Sequence, residues 1–116
     1  MSENVVLEKS YKFALHIVEI YRNLTEEKRE YVLSKSLLAD GTNVGAYVES
    51  AQETESRAAF AHEMGIALQK AGRTKFWLNL MHDGRFIEEQ EYQKAYEECL
   101  EIKRLLGSIV KKTRGV

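Results

Sequence analysis

Apolar residues recur along this chain at alternating steps of three and four, the spacing that keeps one side of a helix turned inward. The rhythm is clearest from Phe60 to Met81. There Phe60, Met64, Ala67, Ala71, Leu78 and Met81 form a seam with Thr74 as its one polar member. Earlier, Phe13, Ile17, Ile20 and Leu24 line one side of a segment that Ala14, Val18 and Tyr21 widen. Later, Tyr92, Ala95, Cys99, Ile102, Leu106 and Ile109 repeat the pattern. Between these, Leu33, Leu37, Asp40, Val44, Val48 and Ala51 keep the same register, although Asp40 is charged and Gly41 and Gly45 interrupt the run.

The seams predict four helices, over residues 7–22, 26–53, 56–82 and 89–112. Thr25 is the expected N-cap of the second, with Glu26 and Glu27 at its positive end. Gly41 and Gly45 would each cost that helix about 1 kcal/mol against alanine. Because the period runs through them, they read as points of close packing; a break at Asp40-Gly41-Thr42-Asn43 is the competing reading. Thr54 or Ser56 caps the third helix, which at 1.5 Å per residue is about 39 Å long and stops at Asp83-Gly84. The fourth has Glu88, Glu89 and Glu91 early and Lys111 and Lys112 late, matching the helix dipole at both ends. Short connections between long amphipathic helices favour antiparallel neighbours. The expected fold is all-α: one domain over residues 1–116, an up-down-up-down antiparallel four-helix bundle.

Composition agrees with this. The chain has 116 residues, no proline, 44% hydrophobic and 30% charged residues, so one core can form without staples. A formal net charge of -1 excludes a surface that attracts nucleic acid everywhere, so any basic region is local. Cys99 is the one cysteine, so no intrachain disulfide is possible. Met1-Ser2-Glu3-Asn4 carries no secretory signal and no window reaches membrane-spanning length, which makes a soluble cytoplasmic protein the expectation.

Three segments carry a resemblance. Gly41-Thr42-Asn43-Val44-Gly45-Ala46-Tyr47-Val48-Glu49-Ser50-Ala51, then Ile66-Ala67-Leu68, then Thr74-Lys75-Phe76-Trp77-Leu78 resemble the bacterial four helix bundle protein family. That family is also called the 23S ribosomal RNA intervening sequence protein family. Its usual pattern reads G-T-S-I-G-A-N-x-x-E-A, then I-A-L-K-E-A-x-E-T-x-Y-W-L. Ser10 to Leu24 and Ile102 to Lys112 also look like the family's first and last helices. The resemblance implies a left-handed bundle that often assembles as a ring-like homopentamer, with no catalytic residues to carry over. It also implies kinship with the accessory protein of diversity-generating retroelements, a basic pentamer working with a reverse transcriptase and RNA. The chain departs from the pattern at Ala39, Asp40, Asn43, Tyr47, Lys70 and Arg73.

No catalytic set can be assembled. Asp40 on a seam is costly to bury unless paired, and Lys9 or Ser10 is its expected partner. His16, His62 and His82 lie on different helices without a second histidine at i+3 or i+4. His62-Glu63-Met64-Gly65-Ile66 lacks the second histidine of the zinc-protease motif, and Glu-x-x-His occurs nowhere. No metal and no cofactor is expected. Gly41 and Gly45 lack the lysine and Ser/Thr of a phosphate loop, and Cys99 reads as a small core residue.

Two surfaces remain. Opposite its seam, the third helix carries a second stripe of Ala61, Gly65, Gly72, Phe76 and Leu80, with Trp77 beside it. Scattered exposed hydrophobes are common. Here the small residues would let another backbone approach, so Gly65, Gly72, Phe76, Trp77 and Leu80 are the expected subunit contact. The basic residues cluster late: after Glu101 no acid occurs, while Lys103, Arg104, Lys111, Lys112 and Arg114 follow. Lys70, Arg73, Lys75 and Arg85 make a second, weaker patch. These nine are the candidate nucleic-acid contacts, set against the plainer reading of a helix end complementing its dipole. The sequence therefore favours a non-catalytic homo-oligomer, an assembly or scaffold protein, with an RNA-binding accessory protein second, an enzyme last and no membrane partner.

Overall fold

Helix-favouring residues uninterrupted by proline propagate far, and the chain forms α1 (Ser2–Glu26), α2 (Leu33–Ala51), α3 (Arg57–Asp83) and α4 (Glu89–Thr113). The computed structural model describes residues 2–115, with side chains described from residue 5 onward. Its extents are 44 × 21 × 19 Å. The long one matches the 27 residues of α3 at 1.5 Å each, so the helices lie along a common axis.

The packed pairs are α1–α2, α2–α3, α3–α4 and α1–α4, which leaves α1 diagonal to α3 and α2 diagonal to α4. Contacts run in opposite numerical order on each neighbouring pair. Ser10 faces Gly45 while Ile17 faces Gly41. Asp40 meets Arg73 while Ser50 meets Glu63. Ala71 meets Cys99 while Asn79 meets Tyr92. Lys9 meets Glu101 while His16 meets Glu98 and Glu91.

Each predicted seam is buried nearly throughout. Phe13, Ile17, Ile20 and Leu24 of α1, Leu37, Val44, Val48 and Ala51 of α2, and Met64, Ala67, Ala71, Leu78 and Met81 of α3 form one core with Ala95, Cys99, Ile102, Leu106 and Ile109 of α4. Leu33, Phe60 and Tyr92 close its edges, half-buried. Helix α2 is continuous through Gly41 and Gly45, so the break at Asp40–Asn43 does not occur. A Cβ on Gly41 would stand 2.9 Å from Cγ1 and Cγ2 of Ile17, and one on Gly45 would stand 3.1 Å from the Ser10 carbonyl oxygen. Both glycines draw α1 and α2 together.

The first connection corrects the sequence reading. Helix α1 continues to Glu26 and α2 begins only at Leu33. Thr25 is no N-cap: its hydroxyl donates back to the carbonyls of Tyr21 and Arg22, a bond threonine makes readily inside a helix. Glu30 caps α2 instead. Its carboxylate accepts from the backbone N–H groups of Val32, Leu33 and Ser34 at 3.1, 2.9 and 2.7 Å. Burial pushes the Glu30 carboxyl up, but these donors outweigh it and hold the group below its ordinary value. Arg29 takes the left-handed backbone, φ 57, that lets the Glu30 N–H reach the Leu24 carbonyl.

The other ends follow the expectation more closely. Ser56 caps α3, its hydroxyl accepting from the Ala59 N–H at 3.0 Å. Helix α3 closes with N–H bonds from Phe86 to Met81 and from Arg85 to His82. The left-handed residue of that closure is Arg85, φ 70; Gly84 keeps a right-handed φ of -77.

Candidate functional site

Asp40 is the most constrained charge, 5% exposed on α2. Its Oδ2 accepts from Arg73 Nε at 3.0 Å and from Trp77 Nε1 at 2.8 Å, and Lys70 Nζ lies 3.9 Å from Oδ1. The expected partners are elsewhere: Lys9 pairs with Glu101 at 3.2 Å and Ser10 donates to the Leu7 carbonyl. One helical step separates the two environments. Gly41 faces α1, so Asp40 is rotated toward α3.

That rotation sets two of the candidate nucleic-acid contacts beside Asp40: Lys70 is half-buried there, and Arg73 stays largely exposed while it bonds the carboxylate. Lys75 and Lys103 are half-buried near Cys99 on the α3–α4 seam. Arg104, Lys111 and Lys112 are exposed on α4, and Arg85 is exposed in the α3–α4 connection. Because α4 runs back along α3, Arg85 and the group Lys111, Lys112 and Arg114 stand at opposite ends of the rod. Arg57, which the sequence reading passed over, joins the latter end: its Nε donates to the Thr113 carbonyl at 2.7 Å and its Nη2 to that of Lys112 at 3.1 Å. No sequence motif marks it.

On the outer face of α3, Phe76 is 57% exposed and Leu80 40%. Open space surrounds Gly72, and the guanidinium of Arg114 lies over Gly65. Trp77 is half-buried against the core, its N–H held by Asp40 and its ring edge-on to Phe76 at 5.0 Å. Ala61 is buried within its own chain. A second exposed apolar pair, absent from the sequence reading, stands on α1: Tyr11 at 66% and Leu15 at 51%, one turn apart. Tyr31 and Val32 are exposed in the first connection. By the register that sets Asp40 beside Arg73, Val32 falls level with the Leu80 turn.

The histidines are each engaged differently. His16 is buried, its Nδ1 2.7 Å from Glu98 and its Nε2 3.4 Å from Glu91. His82 stacks on Tyr92 and lies 2.7 Å from Glu89 and 3.1 Å from Asp83. The hydrogen bond to Glu89 raises the His82 pKa above its ordinary value. His62 is exposed. Among the described residues no three His, Cys, Asp or Glu side chains come together to hold a metal ion, and no helix is long and apolar enough to cross a membrane.

The profile of the 23S rRNA-intervening sequence protein family matches residues 2–108. The chain belongs to that family. A family member from Bacteroides thetaiotaomicron, solved by crystallography and described as a protein with unknown function from the S23 ribosomal protein family, is 40% identical to it. The two superpose with a TM-score of 0.93 over 96% of this chain and 99% of the other. No curated protein matches. The family match ends before Lys111, Lys112 and Arg114, so the basic end of α4 lies outside it.

Proposed function

We propose that the protein is a non-catalytic homo-oligomer, a ring-forming assembly or scaffold element. One observation carries this reading: apolar side chains stand uncovered on two diagonal helices, Phe76 and Leu80 on α3 and Tyr11 and Leu15 on α1. Outward faces of diagonal helices point away from each other. A contact that covered both would join the α3 face of one copy to the α1 face of the next. Such head-to-tail contacts close into rings when the rotation permits, and the ring implied by the family resemblance agrees with this. Burying apolar area at roughly 25 cal/mol per Å² supplies the drive.

Light scattering on the purified chain tests the reading. A particle of several copies is expected, and Phe76→Glu or Leu15→Glu alone should reduce it to monomers. Mixing the two variants should restore dimers, because each retains the face the other has lost. A strict monomer at high micromolar concentration would refute the assembly, and mixed variants that stay monomeric would refute the head-to-tail arrangement.

A second reading, an RNA-binding accessory protein, draws support from the exposed Arg104, Lys111 and Lys112, with no acid after Glu101. It predicts RNA affinity that falls steeply with salt. Absence of binding in dilute salt would remove it.

A further inference from the structure

The start of α3 and the end of α4 border an open cleft of about 680 Å³ whose polar lining includes Arg57, His62, Thr113 and Arg114. It adjoins a second hollow of about 360 Å³, shared through His62 and Arg114, with Gly65 and the apolar Ile66 and Val110 along its wall. No acidic side chain among the described residues lines either one. Arg57, His62 and Arg114, all exposed, share this lining at one end of the rod.

Arg57 is held by hydrogen bonds, and Arg114 lies over α3. Arg57 uses Nε and one Nη2 hydrogen on the terminal carbonyls of α4, which fixes its plane and leaves three of its five N–H donors. Arg114 rests on α3 where residue 65 lacks a side chain: a Cβ there would stand 2.9 Å from its Nη2. Guanidinium forks match the oxygens of phosphate, and the apolar wall suits the rest of an esterified ligand.

We propose that this cleft binds a phosphate group, presented by a phosphate ester the size of a mononucleotide or as free phosphate. Arg57 and Arg114 grip the oxygens and His62 adds a further donor. Gly65, an expected subunit contact, edges the site, but the exposed Phe76 lies nineteen residues along α3 from Arg57, about 28 Å.

The test is an amide chemical-shift titration of the full chain with inorganic phosphate and with uridine monophosphate, against sodium chloride of equal ionic strength. Saturable shifts at Arg57, His62 and Gly65 are expected. Arg114→Gln should weaken binding about tenfold, as expected for one lost charge-assisted pair. Gly65→Ala displaces the Arg114 guanidinium and should weaken binding by less than Arg114→Gln, yet melt no lower than the parent, since helix interiors prefer alanine. Tighter binding of the nucleotide identifies an ester as the ligand, and equal affinity identifies phosphate itself. Shifts that sodium chloride reproduces, or affinity unchanged in both variants, would overturn the proposal.

Discussion

Trp77 reaches across the α2–α3 seam to donate its indole N–H to Asp40 Oδ2 at 2.8 Å, beside the Arg73 Nε bond to the same oxygen. A carboxylate on a core seam is thereby matched by two donors from the next helix. Arg73 is largely solvated, so its share is screened, and the buried share rests on the indole. Asp40→Ala should cost about 1–3 kcal/mol, because it removes the acceptor of that half-buried N–H. Trp77→Phe removes the donor and should cost about 1 kcal/mol through the lost bond, plus packing. Urea unfolding of both single variants and the double checks the coupling: the double should lose less than the sum, and strict additivity would mean the bond contributes nothing.

The glycines of this fold should answer alanine with opposite signs. At Gly41 a methyl group meets the branched side chain of Ile17 at 2.9 Å, so Gly41→Ala forces α1 away and should destabilise by about 1–3 kcal/mol. Nothing lies within 4 Å of the corresponding position at Gly107. There the substitution restores helix propensity and should stabilise by up to about 1 kcal/mol. Thermal melts of the two variants, moving apart from the parent in opposite directions, are the expected outcome.

His82 makes the end of the α3–α4 hairpin sensitive to pH. Its hydrogen bond to Glu89 raises its pKa, so the folded chain holds this proton more tightly than the unfolded one. The stabilisation is complete below the ordinary histidine value of about 6.5 and is lost as pH rises through the higher folded value. On the acid side, bonds from Gln93 and then His82 lower the Glu89 pKa. That contribution is present above about 4.5 and is lost as pH falls through the folded value. His82→Gln should flatten the fall of stability on the alkaline side. Melting curves from pH 5 to 9 that show the same slope in both proteins would contradict this.

Burial pushes the Cys99 thiol up to about 11, and its Sγ–H donates to the Ala71 carbonyl at 3.3 Å. The thiolate is the reactive form. Alkylation at pH 8 should therefore be slow in the native protein and rapid in denaturant, a contrast that mass spectrometry reads directly. Fast native labelling would mean that α4 opens from the core.

Helix number, helix faces and nearly all of the core were legible from residue spacing alone. Phe13, Ile17, Leu37, Val44, Met64, Leu78, Ile102 and Leu106 follow a period that local geometry imposes on any amphipathic helix, whatever it packs against. The cap of α3 was legible to within Thr54 or Ser56 for the same reason, because Ala59, whose N–H the Ser56 hydroxyl accepts, is three residues away. Capping at Thr25 was misread because a hydroxyl there serves equally well inside α1, and Glu30 reaches its amides only through the turn at Arg29. What tertiary structure alone decided was which charges meet. Asp40 turns to Arg73 and Trp77 instead of Lys9, Arg57 ties α3 to the end of α4, and Arg114 settles over Gly65. Periodicity specifies the direction in which a side chain leaves its own helix. The group that waits for it depends on the rotation and register of a neighbour dozens of residues away, and those are fixed only when the helices pack.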